Sequence, residues 1–365
     1  MRLACIADVH LDASFAQLPA DVARSRRQAI RESFRAALRH AHEEQVAALL
    51  VAGDLYEHDR VSRDTANFLR DAFAALAPAR VLIAPGNHDW MGPESLYRLV
   101  QWSDNVHVFD SDRLTAVPLG DGITLWGAAH LRPAGTPGFL ENFRIGDTGC
   151  HLALFHGSER GQFAFQGADK VEHAPFAERE VQAAGLVHAF VGHYHPPIDG
   201  RSYTYPGSLE PLRFGEERQG GIVIAEVAPG GRIERARIVV TQTRLWDERV
   251  DVGGATNAHE IVERVRAALL GKDGLARVTL TGELDPEVDL RFEDVARSVD
   301  GIHVLVRAEN LSPAYDLDEI AQEQTVRGQF VRDLLDADLD DALKQRAIVT
   351  GLRALEGRDD LEVET

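Results

Sequence analysis

Hydrophobic and polar positions along this chain fall into two alternating patterns. Short unbroken apolar runs, rich in β-branched residues, predict buried strands at residues 3–7, 46–52, 81–84, 150–155 and 186–191. Between the first three lie stretches with helical spacing. Over 21–45, Ala29, Ser33, Ala36, Ala37 and His40 can share a face; over 63–76, Phe68, Leu69, Ala72, Phe73 and Leu76 line one side. Strands alternating with helices at this spacing predict a β-α-β-α-β core with parallel strands.

The chain then changes rhythm. A short helix is predicted at 94–102. Strands follow at 106–109, 115–119 and 123–128, the last two joined across Gly120-Asp121-Gly122 as a hairpin. Residues 130–144 are rich in Pro and Gly and read as a loop, and 161–175 reads as a mobile surface loop. A helix at 176–184 precedes the strand ending near Val191, and Tyr203-Thr204-Tyr205 leads to Pro206-Gly207-Ser208. The runs 222–227 and 233–240 form a hairpin around Pro229-Gly230-Gly231. This later group of strands predicts a second sheet packed on the first.

Composition shifts near 241–251. An amphipathic helix at 259–270, with Ile261, Val262, Val265, Ala268 and Leu269 apolar, and strands at 276–280 and 303–306 predict a small α/β domain. From Leu311 onward fourteen Asp and Glu stand against six Lys and Arg, a balance of −8. Two helices are predicted there, at 318–335 and 340–355, with Ile320, Val326, Phe330, Val331, Leu334 and Leu335 as a stripe. They either cap their own domain or dock a partner. The expected division is a first domain over 1–240, a small α/β domain over 241–310 and an acidic helical segment over 311–365.

Chemistry concentrates at the C-terminal ends of the apolar runs, the edge where open α/β sheets bind ligands. There stand Asp8-Val9-His10, Gly53-Asp54, Pro85-Gly86-Asn87-His88-Asp89, His156-Gly157 and Gly192-His193-Tyr194-His195. On an extended backbone, residues two apart point to one side, so Asp8 and His10, and likewise His193 and His195, are expected to face together. The candidate ligands are Asp8, His10, Asp54, Asn87, His156, His193 and His195. They are too many for one ion and suit two divalent ions bridged by Asp54. Mixed nitrogen and oxygen donors favour manganese, iron or zinc over calcium or magnesium. Two such ions about 3.5–4 Å apart clamp both oxygens of an in-line displacement and bring a bridging water near neutrality as hydroxide, the nucleophile a phosphoester needs. His88, set between a ligand and a carboxylate, is the candidate to protonate the leaving oxygen or to steady the phosphoryl group, with Asp89 orienting it.

The 365 residues are 44% hydrophobic and 27% charged, enough for two or three folded domains. The net charge of −19 argues against a stand-alone nucleic-acid binder, though not against a local basic groove or a basic partner. Arg60, Arg63 and Arg213 could form local patches but read as solvated surface. No apolar run approaches the roughly 20 residues that span a bilayer. Cys5 and Cys150 lie in apolar runs and read as buried free thiols. Cytoplasmic location is expected. His40, His42, His107, His188, His259 and His303 read as packed or solvated. His130 and His173, on loops near the same edge, also read as structural.

In order and spacing, Asp8-x-His10, Gly53-Asp54, Gly86-Asn87-His88-Asp89, His156 and Gly192-His193-x-His195 resemble the five motifs of the calcineurin-like metallophosphoesterases, over roughly residues 1–240. A narrower resemblance, to the SbcD-type DNA repair nucleases and their YhaO-like bacterial relatives, rests on Ala7 to Asp12, Gly53-Asp54-Leu55-Tyr56, Pro206 to Glu210 with Phe214-Gly215-Glu216, and the appended C-terminal region. The resemblance implies a four-layer α/β sandwich of two mixed sheets flanked by helices. It also implies a manganese-dependent DNA exonuclease or endonuclease of double-strand break repair that dimerises and works with an SMC-like ATPase. One ion would take Asp8, His10, Asp54 and His195, the other Asp54, Asn87, His156 and His193, with His88 as the proton-transfer residue. Some nucleases of this kind carry a histidine three residues after the bridging aspartate, where this chain has Glu57 followed by His58. The alternatives are a phosphoesterase for small substrates such as cyclic nucleotides, which shares every ligand, and a non-catalytic scaffold, against which the complete ligand set argues.

Overall fold

A computed structural model describes residues 1–161, 172–216 and 219–357. The central part of the loop expected at 161–175 and the last eight residues of the C-terminal segment lie outside these. The chain forms two compact units, Met1–Thr243 and Arg244–Thr365.

The first unit holds two six-stranded sheets. In one, the order is β12-β11-β1-β2-β3-β4: Ile233–Ile238, Ile222–Val227, Arg2–Ile6, Ala48–Val51, Arg80–Ile83 and Val106–Val108. The strands β1 to β4 run parallel, as the strand–helix alternation requires, and β11 joins β1 antiparallel. The other sheet is ordered β5-β6-β7-β8-β10-β9: Thr115–Gly120, Ile123–Gly127, Cys150–His156, His188–Gly192, Tyr203–Tyr205 and Ile198–Asp199. Two sheets were expected, but the 222–240 hairpin extends the first rather than building the second. Its β11 supplies Val223 and Ala225 to the same inter-sheet core as Leu3 and Cys5 of β1.

Burial on both faces explains why β1, β2 and β3 read as unbroken apolar runs. Leu3, Cys5, Leu50 and Leu82 face the second sheet, where Leu125, Leu152, Leu154 and Phe190 meet them. Ala4, Ile6, Leu49, Val51, Val81 and Ile83 face two helices, α1 (Ala20–Glu43) and α2 (Arg63–Ala74). On the far side of the second sheet, Phe155, Val191 and Tyr203 pack with Phe176 and Val181, the latter on α4 (Glu178–Ala183). Helix, sheet, sheet and helix thus form four layers. The buried face of α1 keeps Ser33, Ala36 and Ala37 of the expected set and adds Ile30, Phe34 and Ala41, whereas Ala29 and His40 are only half-buried. The large side chains Ile30 and Phe34 set the stripe. The helix expected at 94–102 is a single turn, α3 (Leu96–Leu99).

The second unit carries a three-stranded, wholly parallel sheet in the order β13-β14-β15: Leu245–Asp251, Gly274–Leu284 and Ile302–Pro313. Residues 241–251, read from composition as a break, include its first strand. Ile261, Val265 and Leu269 of α5 (Ala258–Leu269) and Val295 of α6 (Phe292–Arg297) pack on Val278, Leu280 and Val304. The helix expected at 318–335 is two: α7 (Leu317–Gln322) and α8 (Val326–Leu335). Thr325 accepts the Gly328 N–H and so starts a new helix. The expected stripe holds in part, with Phe330 and Leu334 packed against the same cluster as Ile320 and Val331. Ile320 and Val331 are buried with Ile348 and Leu352 of α9 (Asp341–Leu355), while Val326 is exposed. Cys5 and Cys150 are free and buried. Among the described residues, no helix is long and apolar enough to cross a membrane.

Candidate metal centre

The loops leaving β1, β2, β3, β7 and β8 meet at one edge, and the backbone there departs from the extended form. Asp8, His10 and Asp54 adopt positive φ (52°, 51° and 52°), and His193 has φ 115°. Asp8 and His10 therefore converge through two left-handed residues beyond the end of β1, not by strand alternation. His193 and His195 do not share a side: His195 joins Asp8 and His10, while the His193 ring lies 5.2 Å from His156. Left-handed conformations of this kind cost about 1–3 kcal/mol each and persist only where the surroundings impose them. Gly86 permits the approach of two loops, since a Cβ there would collide with Asp54 Oδ1.

Asp54 is the hub. Its Oδ1 accepts the backbone N–H of His88 at 2.8 Å, and its Oδ2 lies 3.3 Å from His156 Nε2 and 3.7 Å from His10 Nε2. Among the described residues, carboxylate and imidazole atoms form three groups that could each hold a cation: Asp8, His10 and His195; His10, Glu57 and His88; and Asp8, Asp54 and His156, the last wholly buried.

The donor chemistry fits cations. His156 Nδ1 lies 3.0 Å from the Ala52 carbonyl, so that nitrogen carries the proton; burial pushes the ring well below the usual histidine range, which keeps it neutral. The Nε2 lone pair then faces Asn87 Oδ1 at 3.0 Å and Asp54 Oδ2 at 3.3 Å. Three electron-rich atoms converge with no proton to share. His10 is alike: its Nδ1 pairs with Glu57 Oε1 at 2.7 Å, and its buried Nε2 has no hydrogen-bond partner among the described residues. Asp8 is wholly buried, and that burial pushes its carboxyl up to about 8 although the His193 N–H donates to it. Asp54 is also buried, yet His156, His10 and His88 hold its carboxyl below the carboxylate range. A divalent cation would relieve all of these groups.

His88 is placed differently. Its side chain is 43% exposed, and Nδ1 lies 2.9 Å from Glu57 Oε2. Burial alone would lower its pKa; the bond to Glu57 and the charges of Asp54, Glu57 and Asp89 outweigh it and raise the imidazole to about 9. Asp89 does not orient it. The Asp89 carboxylate accepts the N–H groups of Asp54, Leu55 and Gly86 and the Tyr97 hydroxyl, which pins the loop instead. The orienting carboxylate is Glu57.

Glu57 and Glu216 are the residues that sequence reasoning passed over as site members. Glu216 Oε1 lies 2.8 Å from His195 Nδ1 and its Oε2 accepts the Leu212 N–H. Its place in the Phe214-Gly215-Glu216 motif was the available signal. His58 stays out of the metal groups: its ring stacks on Trp90 with centroids 4.0 Å apart, and its backbone N–H donates to the His88 carbonyl. His130 lies beneath the site, its Nε2 2.7 Å from the His156 carbonyl. Arg60, Arg63 and Arg213 are exposed.

Comparison with known proteins places the same residues in a wider group. Residues 1–197 match the family profile described as calcineurin-like phosphoesterase. A protein of Methanopyrus kandleri named DNA double-strand break repair protein Mre11 is 27% identical over 304 residues, covering 74% of this chain and 64% of the relative. The Bacillus subtilis protein named uncharacterized metallophosphoesterase YhaO is 28% identical over 285 residues, covering 71% and 65%. A second Mre11, from Haloferax volcanii, is 27% identical over 341 residues, covering 90% and 70%. The chain thus spans slightly less than two thirds of the first two relatives.

Proposed function

The chain belongs to the calcineurin-like phosphoesterase family, and from that premise we propose that it is a two-metal phosphodiesterase acting on DNA in double-strand break repair. The observation that carries the reading is the position of Asp54 Oδ2 between His156 Nε2 and His10 Nε2. A carboxylate so placed would serve a cation on the His10 side and a cation on the His156 side. Asp8, His10, Asp54 and His195 would hold one, and Asp54, Asn87, His156 and His193 the other. Manganese is the proposed metal, with iron and zinc also suited to this donor set. When bound, the two ions would activate water and neutralise charge on the phosphoryl oxygens.

The chain's own residues do the rest. Asp54 anchors the His88 loop through the His88 N–H. Glu216 and the Ala52 carbonyl hold the rings of His195 and His156 by their Nδ1 atoms and leave Nε2 for the cations. His88, exposed and held by Glu57 through Nδ1, donates a proton to the leaving oxygen.

DNA as substrate is supported by the two relatives named for double-strand break repair and by the narrower motif resemblance. The net charge of −19 supports a partner that supplies part of the DNA-binding surface, and an SMC-like ATPase and a homodimer enter the proposal through that resemblance. In this reading residues 1–240 form the nuclease domain, 241–310 a small capping domain whose last strand, β15, runs on to Pro313, and the helices beyond it, in the segment 311–365, serve partner docking. The test is cleavage of end-labelled linear duplex and single-stranded DNA with manganese, beside bis-p-nitrophenyl phosphate, with Asp54→Ala as control. DNA cleavage by the wild type alone is expected. Cleavage of only the small diester, with a cyclic nucleotide preferred, would favour the small-substrate alternative.

A further inference from the structure

Glu57, which orients His88, also meets a histidine of the metal site. The segment 54–58 is hydrogen-bonded on both sides. Towards the β1 loop, His10 N–H donates to Asp54 O at 2.9 Å, Leu11 N–H to Leu55 O at 3.0 Å and Glu57 N–H to Leu11 O at 3.0 Å. Towards the β3 loop, His58 N–H donates to His88 O at 3.0 Å. The backbone of Glu57 is therefore fixed between the two histidine-bearing loops. Its carboxylate is bonded twice, by Oε1 to His10 Nδ1 at 2.7 Å and by Oε2 to His88 Nδ1 at 2.9 Å. The two rings meet edge to face with centroids 4.8 Å apart.

We infer that Glu57 is a positioning residue that couples the metal site to the proton donor, because one carboxylate fixes the ring of a ligand, His10, and of the leaving-group acid, His88. The inference rests on the roles proposed for those two histidines. An ionised carboxylate only accepts hydrogen bonds, so both Nδ1 atoms must carry protons. For His10 this leaves Nε2 as a lone pair, the buried atom without a hydrogen-bond partner among the described residues. For His88 it leaves Nε2 to serve the substrate. Neither ring can turn without releasing the oxygen that the carboxylate presents to it. Glutamine is nearly isosteric but offers one accepting oxygen and one NH2, so it can satisfy only one of the two Nδ1–H groups.

The test compares wild type, Glu57→Ala, Glu57→Gln and His88→Ala in two measurements. One is Mn2+ affinity and stoichiometry of the full-length protein by equilibrium titration without substrate. The other is the rate ratio between the p-nitrophenyl and phenyl esters of thymidine 5′-phosphate, which differ only in the leaving group and do not require DNA. General-acid help matters more for the poorer leaving group, phenolate. His88→Ala is expected to lose about 10²–10⁴-fold on the phenyl ester and less on the nitrophenyl ester, with Mn2+ binding kept. Glu57→Ala is expected to show that same widened ratio and, in addition, about 10–100-fold weaker Mn2+ binding. Glu57→Gln is expected to impair one readout and spare the other.

The inference is overturned if Glu57→Ala matches wild type in either readout. It is also overturned if Glu57→Ala loses a whole Mn2+ equivalent, which would make Glu57 a ligand, or if Glu57→Gln matches wild type in both. Should His88→Ala leave the rate ratio unchanged, the role of His88 fails instead, and with it the coupling; wild-type Mn2+ affinity in Glu57→Ala would then remove Glu57 from the metal site as well.

Discussion

The backbone N–H of His88 donates to Asp54 Oδ1 at 2.8 Å, so the carboxylate at the centre of the metal groups also holds the loop that presents the proton donor. Substituting Asp54 has two separable effects. Asp54→Asn keeps an oxygen for the His88 N–H but loses the negative charge between His10 and His156. Its Mn2+ affinity is expected to fall by more than the roughly 10–100-fold typical of an outer-shell partner, with a thermal midpoint near wild type. Asp54→Ala should lose both. Titration with Mn2+ beside a melting curve separates the two.

Glu216 acts on the metal through His195. Removing it as Glu216→Ala frees the His195 ring and leaves the Leu212 N–H without its acceptor. The expected result is a loss of about 10–100-fold in Mn2+ affinity or in diesterase activity. Excess Mn2+ should restore part of the activity, which a global folding defect would not allow.

Asp89 is a structural carboxylate. Four donors depend on it, all buried. Asp89→Ala strands them, and stability is expected to fall by about 3 kcal/mol or more, since each abandoned buried donor costs about 1–3 kcal/mol. Tyr97→Phe removes one bond of the four, for an expected loss of about 1 kcal/mol, and leaves the metal groups untouched. Urea unfolding curves measure both, and diesterase activity of Tyr97→Phe should stay within about twofold of wild type.

Acid should destabilise the fold through His188. This ring is buried on β8 with Nε2 3.0 Å from Thr204 Oγ1, and burial, aided by the Arg235 charge, lowers its pKa from 6.5 to about 3. The unfolded chain takes up a proton below pH 6.5 that the folded chain refuses until pH 3. Stability from this group is thus full above pH 6.5 and falls as pH drops towards 3. Between pH 7 and 5 one such proton is worth about 2 kcal/mol. A His188→Gln protein should be less stable at pH 7, yet lose less stability than wild type over that interval. Equal losses in the two proteins would remove His188 as a source of the acid sensitivity.

What the sequence reveals and conceals here follows from chain distance. Strands β1, β2, β3, β7 and β8 are buried almost throughout, so they stand out as apolar runs, and the seven candidate ligands lie at the ends of these runs or within a few residues of them. The carboxylates that steady the rings do not share that proximity. Glu57 reaches back 47 residues to His10 and forward 31 to His88, and Glu216 reaches back 21 to His195. Asp89 adjoins His88 in sequence but turns its carboxylate to backbone N–H groups 34 and 35 residues earlier, so adjacency suggested the wrong partner. The convergence of Asp8 with His10 was legible, but its cause was not, because positive φ at non-glycine residues leaves no mark in a hydrophobic pattern. Strand β13 was hidden for another reason. Its charged residues Asp247 and Arg249 are paired with Arg277 and Glu309 of the same sheet, giving it the composition of a linker.

The most direct measurement is the number of Mn2+ ions bound per chain at equilibrium, taken together with the diesterase rate as Mn2+ is added. Two equivalents in the wild type, with the rate rising only as the second binds, and fewer than two in Asp54→Asn are expected. A single equivalent supporting full activity, or activity that persists after exhaustive chelation, would contradict a two-metal centre bridged by Asp54.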